Sequence, residues 1–298
     1  MPKPIIVAVV GSTGKQGRAL ARLLLHRGHT VRALTRHPTS PVALALRNLG
    51  AEIWQADLED YETIRRAADG SDSFFLMATP YEAGTEAEVR QARQAARAAK
   101  EAGVKHLVYS SVASADQNTG IPHFESKGDV EGYIRKLHVP YTIVAPVFFM
   151  ENLLGPMFIE GLSPYTLSMP LPPSRPLQTI AVEDIAEFVA LALERPGEFQ
   201  DKRIDIASDS LSGLEMAAAL AQASGRDISY GEGPLEAVRA ESRDLARMWE
   251  WFYEKGYSVN IYDLVRAYPD VGWHSFLRWA HEQDWSKLDR ADSAHSTT

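Results

Sequence analysis

The chain alternates short apolar runs with longer stretches in which apolar residues recur every three or four positions. The runs 4–10, 29–36, 51–57, 73–78, 105–111 and 141–146 are short and rich in β-branched or aromatic residues, which predicts six strands. Helical spacing fills the gaps between them: Leu20, Leu23 and Leu24 up to Gly28, then Val42, Leu46 and Leu49 up to Gly50. Tyr61, Ile64 and Ala68 mark a third helix, an alanine-rich stretch from about Thr85 to Lys100 a fourth, and Ile121–Ile134 a fifth. Strand and helix in strict alternation, with strands apolar on both faces, predict the α/β class and a Rossmann-type, doubly wound parallel sheet.

Beyond Pro146 the rhythm breaks. Residues 147–152 and Ser163–Pro176 show no regular period, which predicts a long loop that shapes a substrate pocket. Thr179–Ile185 opens another helix with Ile185, Val189 and Ala192 inward, and Arg203–Ala207 reads as a seventh strand. Ser212 with Glu215 is a capping-box signature for a helix to Ser224. Five of the six tryptophans follow, which predicts a smaller, aromatic and mostly helical C-terminal subdomain for substrate or partner contacts. The expected organisation is a nucleotide-binding domain of residues 1–150 with about 177–207, a subdomain of 151–176 and 208–287, and a disordered polar tail, 288–298.

Composition narrows the function. A content of 45% hydrophobic and 23% charged residues over 298 positions is that of a soluble globule. A formal charge of −8 without any basic run argues against nucleic acid or an anionic membrane as a direct partner. The absence of cysteine excludes disulfides, thiolate nucleophiles and the usual structural zinc sites, and no metal site is expected. No apolar stretch reaches membrane-spanning length, and the first apolar run is consumed by a strand rather than a leader, so the expected setting is the cytoplasm. A homodimer remains open.

The candidate chemistry starts at Gly11-Ser12-Thr13-Gly14-Lys15-Gln16-Gly17, directly after the first strand and before the first helix. In a dinucleotide-binding turn Gly11 permits the tight bend, Gly14 lets backbone approach a pyrophosphate, and Gly17 lets helix and strand pack closely. The anion would sit on backbone N–H groups at the positive end of the helix dipole. A purely structural turn is the other reading. The second strand ends in Thr35-Arg36-His37 where an NAD-selective site carries an acid. Arg36 suits a ribose 2′-phosphate, unless it is a solvated strand-end arginine. Asp57, Ala78-Thr79-Pro80 and Ser110-Ser111 stand at strand ends and should line one crevice. His123 and Lys127, four apart, share a helix face at its entrance. The lysine could hold a ribose or substrate oxygen and the histidine could donate a proton, or the two could merely be solvated and packed.

These motifs, with Arg32–Arg36, Ala56-Asp57-Leu58, Pro140–Pro146, Phe148–Asn152 and Val182–Ile185, resemble the NmrA-like family, an atypical branch of the extended short-chain dehydrogenase/reductase superfamily. The resemblance runs through the first two-thirds of the chain. It implies NADP(H) on the glycine turn, Arg36 on the 2′-phosphate, Asp57 and Leu58 near adenine, and Ala78, Thr79, Ser110, Lys127, Pro146 and Phe149 along the rest of the cofactor. Superfamily reductases commonly carry a tyrosine four residues before the lysine, where this chain has His123, and Ala145-Pro146 replaces a common Arg-Pro. Two functions remain open: an NADPH-dependent reductase of a small quinone-like or conjugated acceptor, and a non-catalytic NADP(H) redox sensor that regulates a protein partner.

Overall fold

The computed structural model describes residues 3–154 and 165–285. The chain divides into one unit of residues 1–146 and 182–206 and a second of residues 147–181 and 207–298.

In the first unit seven parallel strands form one sheet: β1 (Ile6–Val9), β2 (Thr30–Thr35), β3 (Glu52–Gln55), β4 (Ser73–Leu76), β5 (His106–Ser110), β6 (Tyr141–Pro146) and β10 (Lys202–Ile206). Their order is β10-β6-β5-β4-β1-β2-β3. The chain thus winds outward through β2 and β3, returns, and continues on the other side of β1 from β4. That reversal opens a crevice beyond the carboxyl ends of β1 and β4, the place where ligands of such sheets bind.

Helices α1 (Lys15–His26) and α6 (Val182–Glu194) pack on each other, and Arg27 just beyond α1 pairs with Glu187 and Glu194. Helices α3 (Tyr61–Ala68), α4 (Gly84–Glu101) and α5 (Pro122–Lys136) pack side by side. Ala8, Phe74, Leu76, Leu107, Tyr109 and Ile143 share a core with α3, α4 and α5. The alternate residues Val7, Val9, Phe75 and Val108 are also buried. This double burial explains why the strands read as unbroken apolar runs. Alanines 92, 95, 96 and 99 let α4 lie close to its neighbours.

A buried ion network ties β10 to α5. The fully buried Glu131 accepts from Arg203 Nε at 2.9 Å and from Ser111 Oγ at 2.6 Å, and Arg203 also pairs with Asp205.

The second unit holds β7 (Phe148–Phe149), β9 (Pro176–Ile180) and β11 (Asp209–Ser212) in one sheet, and β8 (Thr166–Met169) with β12 (Ser229–Glu232) in another. Strand β8 lies in the stretch that the sequence pattern gives as loop. Its alternation of polar Thr166 and Ser168 with buried Leu167 and Met169 is only four residues long and is crowded by prolines 170, 172 and 173. Residues 147–150 and 177–181, placed in the first domain by the sequence pattern, belong to the second unit, because β7 and β9 pair with each other and β9 with β11. The capping box at Ser212 and Glu215 is formed. Trp249, Trp251, Phe252, Phe276 and Trp279 are buried, with the Phe148 ring 5.9 Å from that of Trp249. Residues 155–164 and the tail 288–298 lie outside the described residues.

His106, buried on β5 with Nε2 2.8 Å from Thr142 Oγ1, supplies a pH test of this fold. Burial lowers its pKa from 6.5 to about 4. A neutral histidine in the native state and a readily protonated one in the unfolded chain mean that stability is full above pH 6.5 and is lost as pH falls toward about 4. Denaturant titrations at pH 7 and pH 4.5 should show roughly 2–3 kcal/mol less of this loss in His106→Asn than in the parent. Equal pH dependence of the two proteins would remove His106 as the cause.

Candidate functional site

The site begins where β1 runs out. Gly11 takes φ +66°, a left-handed conformation that favours glycine, and its carbonyl accepts the Gly14 N–H at 2.9 Å. Ser12 is buried and donates its hydroxyl to the Leu34 carbonyl at 2.9 Å, pinning the turn to the end of β2. Gly17 comes so close that a Cβ there would stand 2.3 Å from the Gly11 carbonyl oxygen. At Gly14 a Cβ would meet the same oxygen at 3.3 Å, still tight but far less severe. Gly14 is the cap residue of α1, no side chain caps that end, and no acid occupies the first turn. A helix start without cap or acid presents N–H dipoles to an anion.

From this turn a groove of about 200 Å³ runs along the strand ends. Gly11 and Thr13 line it from β1, Arg36 and His37 from β2, Asp57 and Leu58 from β3, and Met77, Ala78 and Thr79 from β4. Gly11, Thr13, Arg36, Asp57, Leu58, Ala78 and Thr79 are thereby brought together. Asp57 uses one carboxylate oxygen to accept the Glu59 N–H at 3.0 Å, an Asx turn that orients the side chain. Arg36 is gripped by Glu82, and this hydrogen-bonded pair, with Asp57 nearby, raises the guanidinium pKa further.

The other predicted residues are not among those that line the groove. The Ser110 hydroxyl donates to the Gln16 side chain at 2.7 Å, joining the end of β5 to the first turn of α1. Lys15 is exposed at the start of α1. Lys127 Nζ donates to the Ala78 carbonyl at 3.0 Å and to Glu88 Oε1 at 2.8 Å. Glu88 is fully buried, and its other oxygen accepts the Ser126 hydroxyl at 2.5 Å. The lysine is thus a fixed cation at the end of β4. His123 is buried in the first turn of α5, its ring edge-on to Phe124 at 4.9 Å. Pro146 is buried at the end of β6, where its carbonyl accepts the Ala113 N–H at 3.0 Å. Phe149 lies in β7 of the second unit.

Glu82 and Glu88 escape the sequence reading. Glu88 had a signal, since it falls on the same helical face as Ala92, Ala95 and Ala99, where an acid is out of place. Glu82, in an exposed loop, had none. Among the described residues no group of three or more histidines and acids could hold a metal, and no helix is long and apolar enough to cross a membrane.

Comparison with known proteins bears on this geometry. A profile of the NmrA-like family matches residues 4–294. An NAD(P)H azoreductase of Xenophilus azovorans is 31% identical over 235 residues, 78% of this chain and 79% of the relative. The crystal structure of NmrA, a negative transcriptional regulator, in complex with NADP has a TM-score of 0.77 at 22% identity and 98% coverage of both chains. An NADPH-dependent quinone oxidoreductase of Escherichia coli complexed with NADPH has a TM-score of 0.76 at 21% identity, covering 93% of this chain and 98% of the other.

The two glycines should separate fold from site. Gly17→Ala forces the backbone of the turn away from α1, so its thermal unfolding midpoint should fall by the equivalent of about 1–3 kcal/mol. Gly14→Ala, whose Cβ would press on the same oxygen at 3.3 Å, should lose less than Gly17→Ala, about 1 kcal/mol or below. Equal midpoints for Gly17→Ala and the parent would contradict the close approach of helix and turn.

Proposed function

We propose that this chain, which belongs to the NmrA-like family, binds NADP(H) along the groove of its first unit and reduces a small quinone-like or conjugated acceptor. The observation that carries the reading is one continuous groove with an uncapped glycine turn at one end of β1 and a guanidinium, not an acid, at the end of β2. The turn supplies N–H groups and space for a pyrophosphate. Arg36 supplies the paired donors that a 2′-phosphate takes. Asp57 and Leu58 would border the adenine, and Ala78, Thr79 and Lys127 the nicotinamide side, with Ser110 holding Gln16 in the turn.

The bound cofactor would supply the hydride. The protein's part is to place it. Lys127 spends two of its three N–H donors on Ala78 and Glu88, which fixes the ammonium and leaves a third for a ribose or substrate oxygen. Among the described residues that line the groove there is no tyrosine to take the place of the superfamily phenol. Tyr109, whose ring lies 5.9 Å from Lys127 Nζ, is fully buried, and burial pushes its phenol well above the usual range. An acceptor that spreads negative charge over a conjugated system needs no strong acid beside it and can take its proton from water. Quinones, enones and azo compounds share that property, and the names of the azoreductase relative and the quinone oxidoreductase neighbour support this class. His123 then packs rather than donates.

A second reading is a redox sensor that binds NADP(H) without turnover. His123 at the tyrosine position favours it, as does the fold shared with NmrA.

Turnover decides between them. The purified protein with NADPH should reduce at least one member of a panel of quinones, enones and azo dyes, whereas binding without turnover on every member supports the sensor. Arg36→Ala should weaken NADPH roughly ten- to hundredfold and leave NADH almost unchanged. Gly14→Val should abolish NADPH binding in a folded protein. Lys127→Ala, combined with Glu88→Gln so that no buried charge is left unpaired, should lower kcat by more than it weakens NADPH. His123→Ala should retain most of the rate, and a loss of about 10²–10⁴-fold would restore it as the acid.

A further inference from the structure

Arg36 and Glu82, both lining residues of the groove, form an ion pair. Arg36 Nη1 lies 2.7 Å from one Glu82 carboxylate oxygen and Nη2 lies 2.8 Å from the other. This is the fork-on-fork geometry in which guanidinium grips a carboxylate or a phosphate, and it occupies both terminal nitrogens. Glu82 comes from the loop between β4 and α4 and is itself a lining residue of the groove. Among the described residues its carboxylate bonds only Arg36. The loop does not need that bond to close, since the Gly84 N–H donates to the Pro80 carbonyl at 2.7 Å. The Arg36 and Glu82 side chains are 49% and 69% exposed, so neither is trapped in the pair.

We infer that Glu82 is a built-in competitor for the ribose 2′-phosphate and so sets how strongly the site prefers NADPH over NADH. The inference rests on the assignment of the 2′-phosphate to Arg36. A carboxylate and a phosphate cannot use one fork at the same time. NADPH must displace Glu82 before its phosphate engages Arg36, whereas NADH carries only a hydroxyl there and requires no exchange. The phosphate wins because it bears close to two charges against one on the carboxylate. The exchange still lowers its net affinity. Exposed pairs of this kind are weak, so the handicap is small, about two- to fivefold in the dissociation constant.

The test is a fluorescence titration of NADPH and NADH, at low ionic strength, into the parent, Glu82→Gln, Arg36→Ala and the double variant. Glu82→Gln should bind NADPH about two- to fivefold more tightly and NADH as before. In the Arg36→Ala background the same change should do nothing, because no fork remains to compete for. Unchanged NADPH affinity in Glu82→Gln, or an equal gain for both cofactors, overturns the inference. A gain that persists without Arg36 also overturns it, since that is plain charge repulsion. If Arg36→Ala weakens NADPH no more than NADH, the phosphate assignment itself fails. If Arg36→Ala loses NADPH selectively while Glu82→Gln gains nothing, only the competitor role fails.

Discussion

The site depends on a backbone contact too close for any side chain. With its Cβ position 2.3 Å from the Gly11 carbonyl oxygen, residue 17 must be glycine for α1 to begin where β1 ends. That contact sets the helix start directly beyond the strand, at the point where the sheet order reverses. The rest follows from parallel strands: β2, β3 and β4 all deliver their carboxyl ends to the same edge, and Arg36, Asp57 and Ala78 arrive with them. Catalytic proteins of this architecture vary the loops, not the sheet.

Two ion pairs near the groove show how burial changes the meaning of a charge. Lys127 and Glu88 are 13% and 0% exposed at the side chain, and every carboxylate oxygen of Glu88 has a partner. Breaking that pair would strand a charge in the interior, so it holds the ammonium in one place. Arg36 and Glu82 sit in water, where an ion pair is weakly bound and easily exchanged. One pair therefore positions, and the other yields.

Much of the first unit was legible because its central strands are buried on both faces and its helices on one, so apolar period maps directly onto structure. The glycine turn was legible because its residues are contiguous. The carboxylate partners were not, because Glu82 and Glu88 reach Arg36 and Lys127 only across the folded sheet edge. Glu88 betrayed itself by sitting on an alanine face, while Glu82 in a surface loop looks like any solvated acid. In the second unit, short strands broken by prolines hid the pairing of β8 with β12, and the pairing of β7 with β9 moved the unit boundaries. The sequence places Ser12 in the dinucleotide turn and Ser111 on the crevice, whereas both are buried and their hydroxyls donate to the interior atoms Leu34 O and Glu131 Oε1, partners that only the fold brings near.

The central claim is that a dinucleotide phosphate lies on the turn between β1 and α1 with its ribose toward Arg36. A crystal structure grown with NADPH tests it most directly. The account expects the pyrophosphate against the backbone of Thr13–Gln16, the 2′-phosphate within hydrogen-bonding reach of Arg36 and the adenine beside Asp57 and Leu58. A dinucleotide bound elsewhere on the chain, or one in this groove with its 2′-phosphate turned away from Arg36, would contradict it.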